Sequence, residues 1–388
     1  MNFDKPTDRR GSYSVKWDRT QALYPVGEDF IPMWIADTDF EAPECVRDAA
    51  RAMVDHGIFG YGFDTDSYLA SVVWWAETRH GWSPDPAAIF TVTGLCNGIA
   101  LVLDTYTDPG DGVVIFSPVY HEFAATIRAG GRRAVEVELP REDGRYVMDL
   151  DAAQAALSGD EKILLLCSPH NPVGRVWTSG ELAALVDFAN RNDLILVSDE
   201  VHQDLVYPHA TFTPTMRVDG AADNLIVLSA ASKTFNIAGM RIGNVIIPNA
   251  ELRAPFADRM RALKLQPNII GIAMTTAAYS PEGADWADAQ VAYLDRNRAV
   301  FEKGVGAIPG LTATPLEATY LGWVDWSGTG MTREEIHRRV METAGIAPQR
   351  GPDFGPGGEK FLRFNFGTQR ARVEDAVARL QSAFADLQ

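Results

Sequence analysis

The 388-residue chain has few cysteines, a shortage of positive charge and no long apolar run. Its three cysteines, Cys45, Cys96 and Cys167, lie far apart and form no C-x-x-C pair. That excludes a disulfide scaffold and a structural zinc site, fits a reducing compartment, and leaves no metal to expect. Thirty-five Lys and Arg against 52 Asp and Glu give a formal net charge of −17. This is the wrong sign for gripping nucleic-acid phosphates, and otherwise indicates solubility. No segment approaches the ~20 apolar residues of a membrane span. The opening residues, Met1 to Arg10, carry no apolar leader, so a cytoplasmic location is expected. No Gly-x-Gly-x-x-Gly follows a strand-like run and no Walker-type loop is present, which counts against a nucleotide cofactor. Internal repeats and low-complexity tracts are missing as well.

What the chain does have is a core. An apolar fraction of 46% with nine tryptophans belongs to a folded globular protein, long enough for about two domains. Short, continuously apolar runs recur, each followed by turn residues: Val113–Phe116, Ile163–Leu166, Leu194–Val197 and Asn224–Ser229. Such runs predict strands buried on both faces. Between two of them, Glu181–Ala189 has the i, i+3, i+4, i+7 spacing of a helix, and Thr178 with Glu181 reads as its capping box. Strand, helix, strand implies an α/β protein with a mainly parallel sheet. In such sheets ligands bind beyond the carboxyl ends of the strands, where Tyr120, Asn171, Asp199 and Lys233 would converge.

Lys233 stands in a loop of small residues, Leu228 to Arg241, with a hydroxyl at Ser232 and a cation at Arg241. Small neighbours leave room for a flat cofactor, and Ser232 and Arg241 could donate to its phosphate. Pyridoxal phosphate is the candidate, because it forms a Schiff base with lysine. Asp199 would keep the pyridine nitrogen protonated, Tyr120 would stack on the ring, and Asn171 and His202 would hydrogen-bond the ring oxygen. Upstream, Phe90–Gly94 reads as a strand turning at Gly94 into a helix, whose free N–H groups near Leu95 and Cys96 would hold the phosphate. Cys96 itself is expected to pack, not to react. Singly each residue has an ordinary structural explanation; together, at the ends of successive strands, they point to one site.

Longer motifs add to this: Pro32–Phe40, Phe59–Gly62, Ser117–Tyr120, Cys167–Arg175, Ser198–His202, Ser232–Gly239, Glu317–Leu321 and Phe361–Asn365. With them nearly the whole chain resembles the fold-type I pyridoxal phosphate enzymes, in particular the aminotransferase-like cystathionine β-lyase or C–S lyase branch, the MalY/PatB type. The resemblance implies a large domain with a seven-stranded, mainly parallel sheet at residues 43–275. A smaller α+β domain would be built from residues 1–42 and 276–388. It implies that Lys233 is both the Schiff-base lysine and the acid/base, and that Arg363 clamps the substrate carboxylate with help from the backbone near Ala36. It also implies that Tyr61 reaches the phosphate of a neighbouring subunit in a homodimer. The expected reaction is β-elimination from cystathionine or a related cysteine S-conjugate, giving thiol, pyruvate and ammonia. Transamination is the alternative, and a regulatory pyridoxal-phosphate-binding protein a further one.

The chain departs from that branch at a few places. His121-Glu122-Phe123 stands where a proline-containing segment is usual, Gln349-Arg350 takes the place of a small polar pair, and Thr368–Ala371 that of a Cys-Pro-Arg-Ser-like run. If Glu122, Arg350 or Gln369 meets the substrate, the preferred conjugate carries a polar or charged group beyond its sulfur. A long helix is expected over Asp285–Val305, a strand over Ala318–Val324, and a Gly- and Pro-rich loop over Arg350–Gly358 bordering the site.

Overall fold

The computed structural model describes residues 1–63 and 65–387. Its centre is a seven-stranded sheet in the spatial order 89–92, 243–246, 225–229, 195–199, 161–167, 112–117, 133–138. All neighbours are parallel except Gly243–Ile246, which runs against both of its partners. Six strands therefore point the same way and end at one edge. The runs Glu161–Cys167, Leu225–Ser229 and Gly112–Ser117 are buried along nearly their whole length because helices cover both faces. Helix Ser179–Arg191 begins at the expected capping box, the Thr178 side chain accepting from the Glu181 N–H.

A second, five-stranded sheet has the order 31–33, 346–350, 361–365, 321–325, 312–313. It joins a strand from the start of the chain to four from its last third. Ile31–Met33 runs parallel to Ile346–Arg350, and the remaining pairs are antiparallel. The two sheets flank a continuous hydrophobic core that includes Trp75, Trp177, Trp323 and Phe366.

Three elements differ from expectation. The long helix spans Pro281–Gly306, because Ser280 caps it and Pro281 takes the first position, where a missing N–H costs nothing. The strand expected from Ala318 starts only at Leu321. Thr319, at φ +71°, breaks the extended backbone, and its N–H donates to the Leu205 carbonyl. The stretch after Arg350 is a short 3₁₀ turn, Gly351–Phe354, followed by loop. Among the described residues, no helix is long and apolar enough to cross a membrane, and no cluster of three or more metal-ligating side chains occurs.

Candidate active site

The shared carboxyl edge of the large sheet opens into a cavity of about 530 Å³, inside the ~300–1,000 Å³ range of small-molecule sites. Tyr120, Asn171, Asp199, His202, Lys233 and Arg363 all line it. Five of them come from the ends of four strands or the loops after them. Arg363 arrives from the centre of the small sheet, on strand Phe361–Asn365.

The cavity holds two buried ionisable groups, Asp199 and Arg363, that have no ion-pair partner among the described residues. Asp199 is 5% exposed and accepts one hydrogen bond, 3.2 Å from the Val201 N–H. Burial raises its carboxyl to about 7, against the pull of that bond and of Lys233. Arg363 is 2% exposed and has no carboxylate within ion-pair distance among the described residues. It donates to Asn171 Oδ1 at 2.9 Å and to the Trp34 carbonyl at 2.6 Å, and lies 4.8 Å over the Phe354 ring. Its Nε has no partner, and burial lowers its pKa to about 10. Removing a charge from water costs several kcal/mol unless it is paired, so this arrangement calls for a ligand with a cation at one end and a carboxylate at the other.

Lys233 Nζ donates to the Ala36 carbonyl at 2.8 Å, and Tyr320 Oη donates to the same oxygen at 3.1 Å. Burial lowers the lysine pKa; Asp37 opposes that shift and Arg363 adds to it. The segment carrying Ala36 is pinned by charge. Arg9 grips Asp37 at 2.7 and 2.9 Å and Asp39 at 2.9 Å, and buried Lys16 reaches Asp39 at 3.1 Å. On the other side, Thr234 donates to buried Asp204 at 2.9 Å, and Trp75 and His80 also bond Asp204, which fixes the loop next to the lysine. His202 is neutral: burial, then Lys233 and Arg363, bring its pKa down to about 3, and its Nδ1 has no partner.

The phosphate candidates lie elsewhere. Cys96 and Arg241 line a second cavity of about 820 Å³ with Thr93 and Asn97. It adjoins the first, since Cys96 Sγ is 3.9 Å from Tyr120 Oη. Gly94 has φ +95° and ψ 155°, a backbone open essentially to glycine alone, and caps helix Leu95–Tyr106 without a side-chain acceptor. The first N–H groups of that helix are left for an anion. Leu95 offers only its N–H, because its side chain packs at Gly243. Ser232 is half-buried and lines neither cavity. Burial raises the Cys96 thiol pKa, in keeping with a packing residue. Tyr61 lines neither cavity and is fully exposed.

Of the unusual residues, Glu122 and Arg350 line the first cavity and Gln369 does not. Gln369 is 6% exposed, donates to the Asp39 carbonyl at 2.9 Å, and sits at the N-cap of helix Arg370–Ala383. The chain has already left the sheet there, so its side chain ties the N-terminal segment and cannot meet a substrate in the cavity. Sequence reasoning missed Tyr24 as a cavity residue, and it reached His121 and Asp353 only through segments placed near the site, those of Glu122 and Arg350. No spacing marks Tyr24.

The sequence model of the family described as "Aminotransferase class I and II" matches residues 29–380. The chain belongs to the class I and II aminotransferase family. Among curated members, it is 35% identical to cystathionine beta-lyase PatB of Bacillus subtilis strain 168, covering 99% of this chain and 100% of that one. The crystal structure of cystalysin from Treponema denticola, described as containing pyridoxal 5'-phosphate, superposes with a TM-score of 0.95. It is 32% identical and covers 100% of this chain and 99% of that one. The crystal structure of OvoB superposes at 0.92 with 37% identity, covering 99% of each chain. Against this family background, the unpaired Asp199, the Gly94 cap that leaves the helix N–H groups free and the partnerless His202 Nδ1 fit a pyridoxal phosphate.

Proposed function

We propose that the protein is a pyridoxal-phosphate-dependent C–S β-lyase that cleaves cystathionine or a related cysteine S-conjugate to a thiol, pyruvate and ammonia. The observation that carries this reading is the pair of unmatched buried charges, Asp199 and Arg363, in one cavity with Lys233. Asp199 would hold the pyridine nitrogen, His202 and Asn171 the ring oxygen, and Tyr120 a ring face. Gly94, Leu95, Cys96, Ser232 and Arg241 would surround the phosphate. Arg363 would take the substrate carboxylate.

When bound, pyridoxal phosphate supplies a carbonyl that joins the substrate amine and a protonated ring that accepts the electron pair left at Cα. Lys233, with its pKa lowered by burial, is then suited to take the Cα proton as a free amine. The Ala36 carbonyl and the fixed Thr234 aim that amine. Asp199 would keep the ring cationic, because such a pair would replace the water each charge has lost. The sulfur leaves as thiolate with little acid help, since a free thiol has a pKa of about 8.5. Water then completes the balance: the released three-carbon enamine hydrolyses to pyruvate and ammonia.

The family name itself supports transamination as a second reading, because both reactions use these residues. Relatives described as cystathionine β-lyases tip the choice to elimination. A homodimer completes the proposal. Tyr61 is fully exposed beside exposed Ile58, Phe59 and Phe63, an apolar arm suited to covering by a second subunit and to reaching its phosphate site. Residues 43–275 would form the large domain, with residues 1–42 and 276–388 the small one, and the reduced cysteines suit the cytoplasm. Purified wild-type protein should show the visible absorbance of lysine-bound cofactor and release pyruvate from L-cystathionine. Lys233→Ala should lose both. Pyruvate release that survives in Lys233→Ala would refute the assignment.

A further inference from the structure

The mouth of the first cavity has a charge balance of its own. Glu122 stands in the first turn of helix His121–Ala129 with its side chain 43% exposed, and its partner is His121 Nε2 at 3.2 Å. Burial lowers the pKa of that histidine, Arg363 adds to the effect, and Glu122 opposes it. Its Nδ1 has no hydrogen-bond partner. No lysine or arginine lies within ion-pair distance of the Glu122 carboxyl group among the described residues. The other acid at the mouth, Asp353, is occupied. It pairs with Arg350 at 3.4 Å and accepts from Gln349. Arg350 is thus matched and Glu122 is the unmatched charge, on the same cavity as buried Arg363.

We propose that Glu122 determines which sulfur fragment the enzyme accepts, and that it selects conjugates whose leaving thiol carries a cationic nitrogen. The proposal rests on the β-lyase reading for the placement of the substrate. Arg363 takes the α-carboxylate, the Cα–Cβ–S unit lies by Lys233, and the group beyond sulfur reaches the mouth. An ammonium there meets Glu122 in a charge-assisted hydrogen bond, with His121 orienting the carboxylate. A carboxylate at the same place meets the same charge and is rejected.

The test compares S-(2-aminoethyl)-L-cysteine, S-propyl-L-cysteine and S-carboxymethyl-L-cysteine as substrates, read by pyruvate release. Thiols differ in how readily they leave, so the decisive quantity is how each substrate ratio changes between wild type and variant. In Glu122→Gln the kcat/KM ratio of the aminoethyl to the propyl conjugate should fall about tenfold, the equivalent of about 1.4 kcal/mol, with the loss in KM and not in kcat. In Glu122→Lys the carboxymethyl conjugate should overtake the aminoethyl one, a gain that a merely structural role would not produce. Unchanged ratios in both variants would overturn the proposal. Calorimetric binding of the same three compounds to cofactor-saturated Lys233→Ala protein, with and without Glu122→Gln, reads the preference without turnover. If wild type releases no pyruvate from any conjugate, the lyase reading fails, and these affinities still decide the role of Glu122.

Discussion

Replacing Asp199 by asparagine separates the electrostatics of the site from its chemistry. In the cofactor-free protein, burial raises the Asp199 carboxyl from 3.8 to about 7. A carboxylic acid with a folded-state pKa above its unfolded value holds its proton more tightly when folded. Its contribution to stability is therefore greatest below 3.8, declines as pH rises, and is lowest above about 7. A shift of about 3 units corresponds to roughly 4 kcal/mol, an upper figure because water in the cavity screens the charge. Asparagine carries no charge at any pH and lacks this decline. Cofactor-free Asp199→Asn should thus be more stable than wild type at pH 8 by a few kcal/mol, and close to it at pH 4. Thermal midpoints of both proteins across that range are the assay, and their difference cancels every other titrating group. Adding pyridoxal phosphate should narrow the difference at pH 8, since wild type gains a charge-assisted bond worth about 1.5–3 kcal/mol and the variant does not. A midpoint difference that is the same at pH 4 and pH 8 would refute the claim that Asp199 is a buried, unmatched charge awaiting a cation.

Other consequences follow from the same geometry. Arg363→Lys keeps a charge but loses the planar fork, so kcat/KM for any cysteine conjugate should fall about 10- to 100-fold while cofactor absorbance stays; unaltered kinetics would remove Arg363 from substrate binding. Gln369→Ala should lower the melting temperature by the equivalent of about 1–3 kcal/mol, because the Asp39 carbonyl and Arg372 lose a partner. Its KM should not move, and a changed substrate preference would show that the residue reaches the cavity after all.

The strand ends were legible in the sequence because a strand buried on both faces is apolar throughout, and polar residues can appear only where it emerges. That logic located Tyr120, Asn171, Asp199 and Lys233 together without any long-range information. It could not show that Gly243–Ile246 runs antiparallel, since its residues are as buried as those of its neighbours. Nor could it place Arg363 against Asn171, a contact across 192 residues of sequence; the family motif suggested Arg363 for the site, not this contact. Gln369 lies outside the cavity for a related reason. Closeness to Arg363 in sequence ends where the strand ends, and the turn after Asn365 takes the chain toward the N-terminal segment. Arg241 and Cys96 were foreseen as phosphate neighbours, yet they face a cavity adjoining that of Lys233, which depends on how a helix and a strand start are oriented and leaves no trace in spacing.

The most direct test of the central claim is the stoichiometry of products from L-cystathionine with the pyridoxal phosphate-loaded wild-type protein. Elimination predicts one pyruvate, one ammonia and one free thiol for each substrate consumed, over many turnovers, with the cofactor absorbance preserved. Conversion of the cofactor to its amino form in a single turnover, with a sulfur-containing keto acid and no free thiol, would contradict the account and make the protein an aminotransferase.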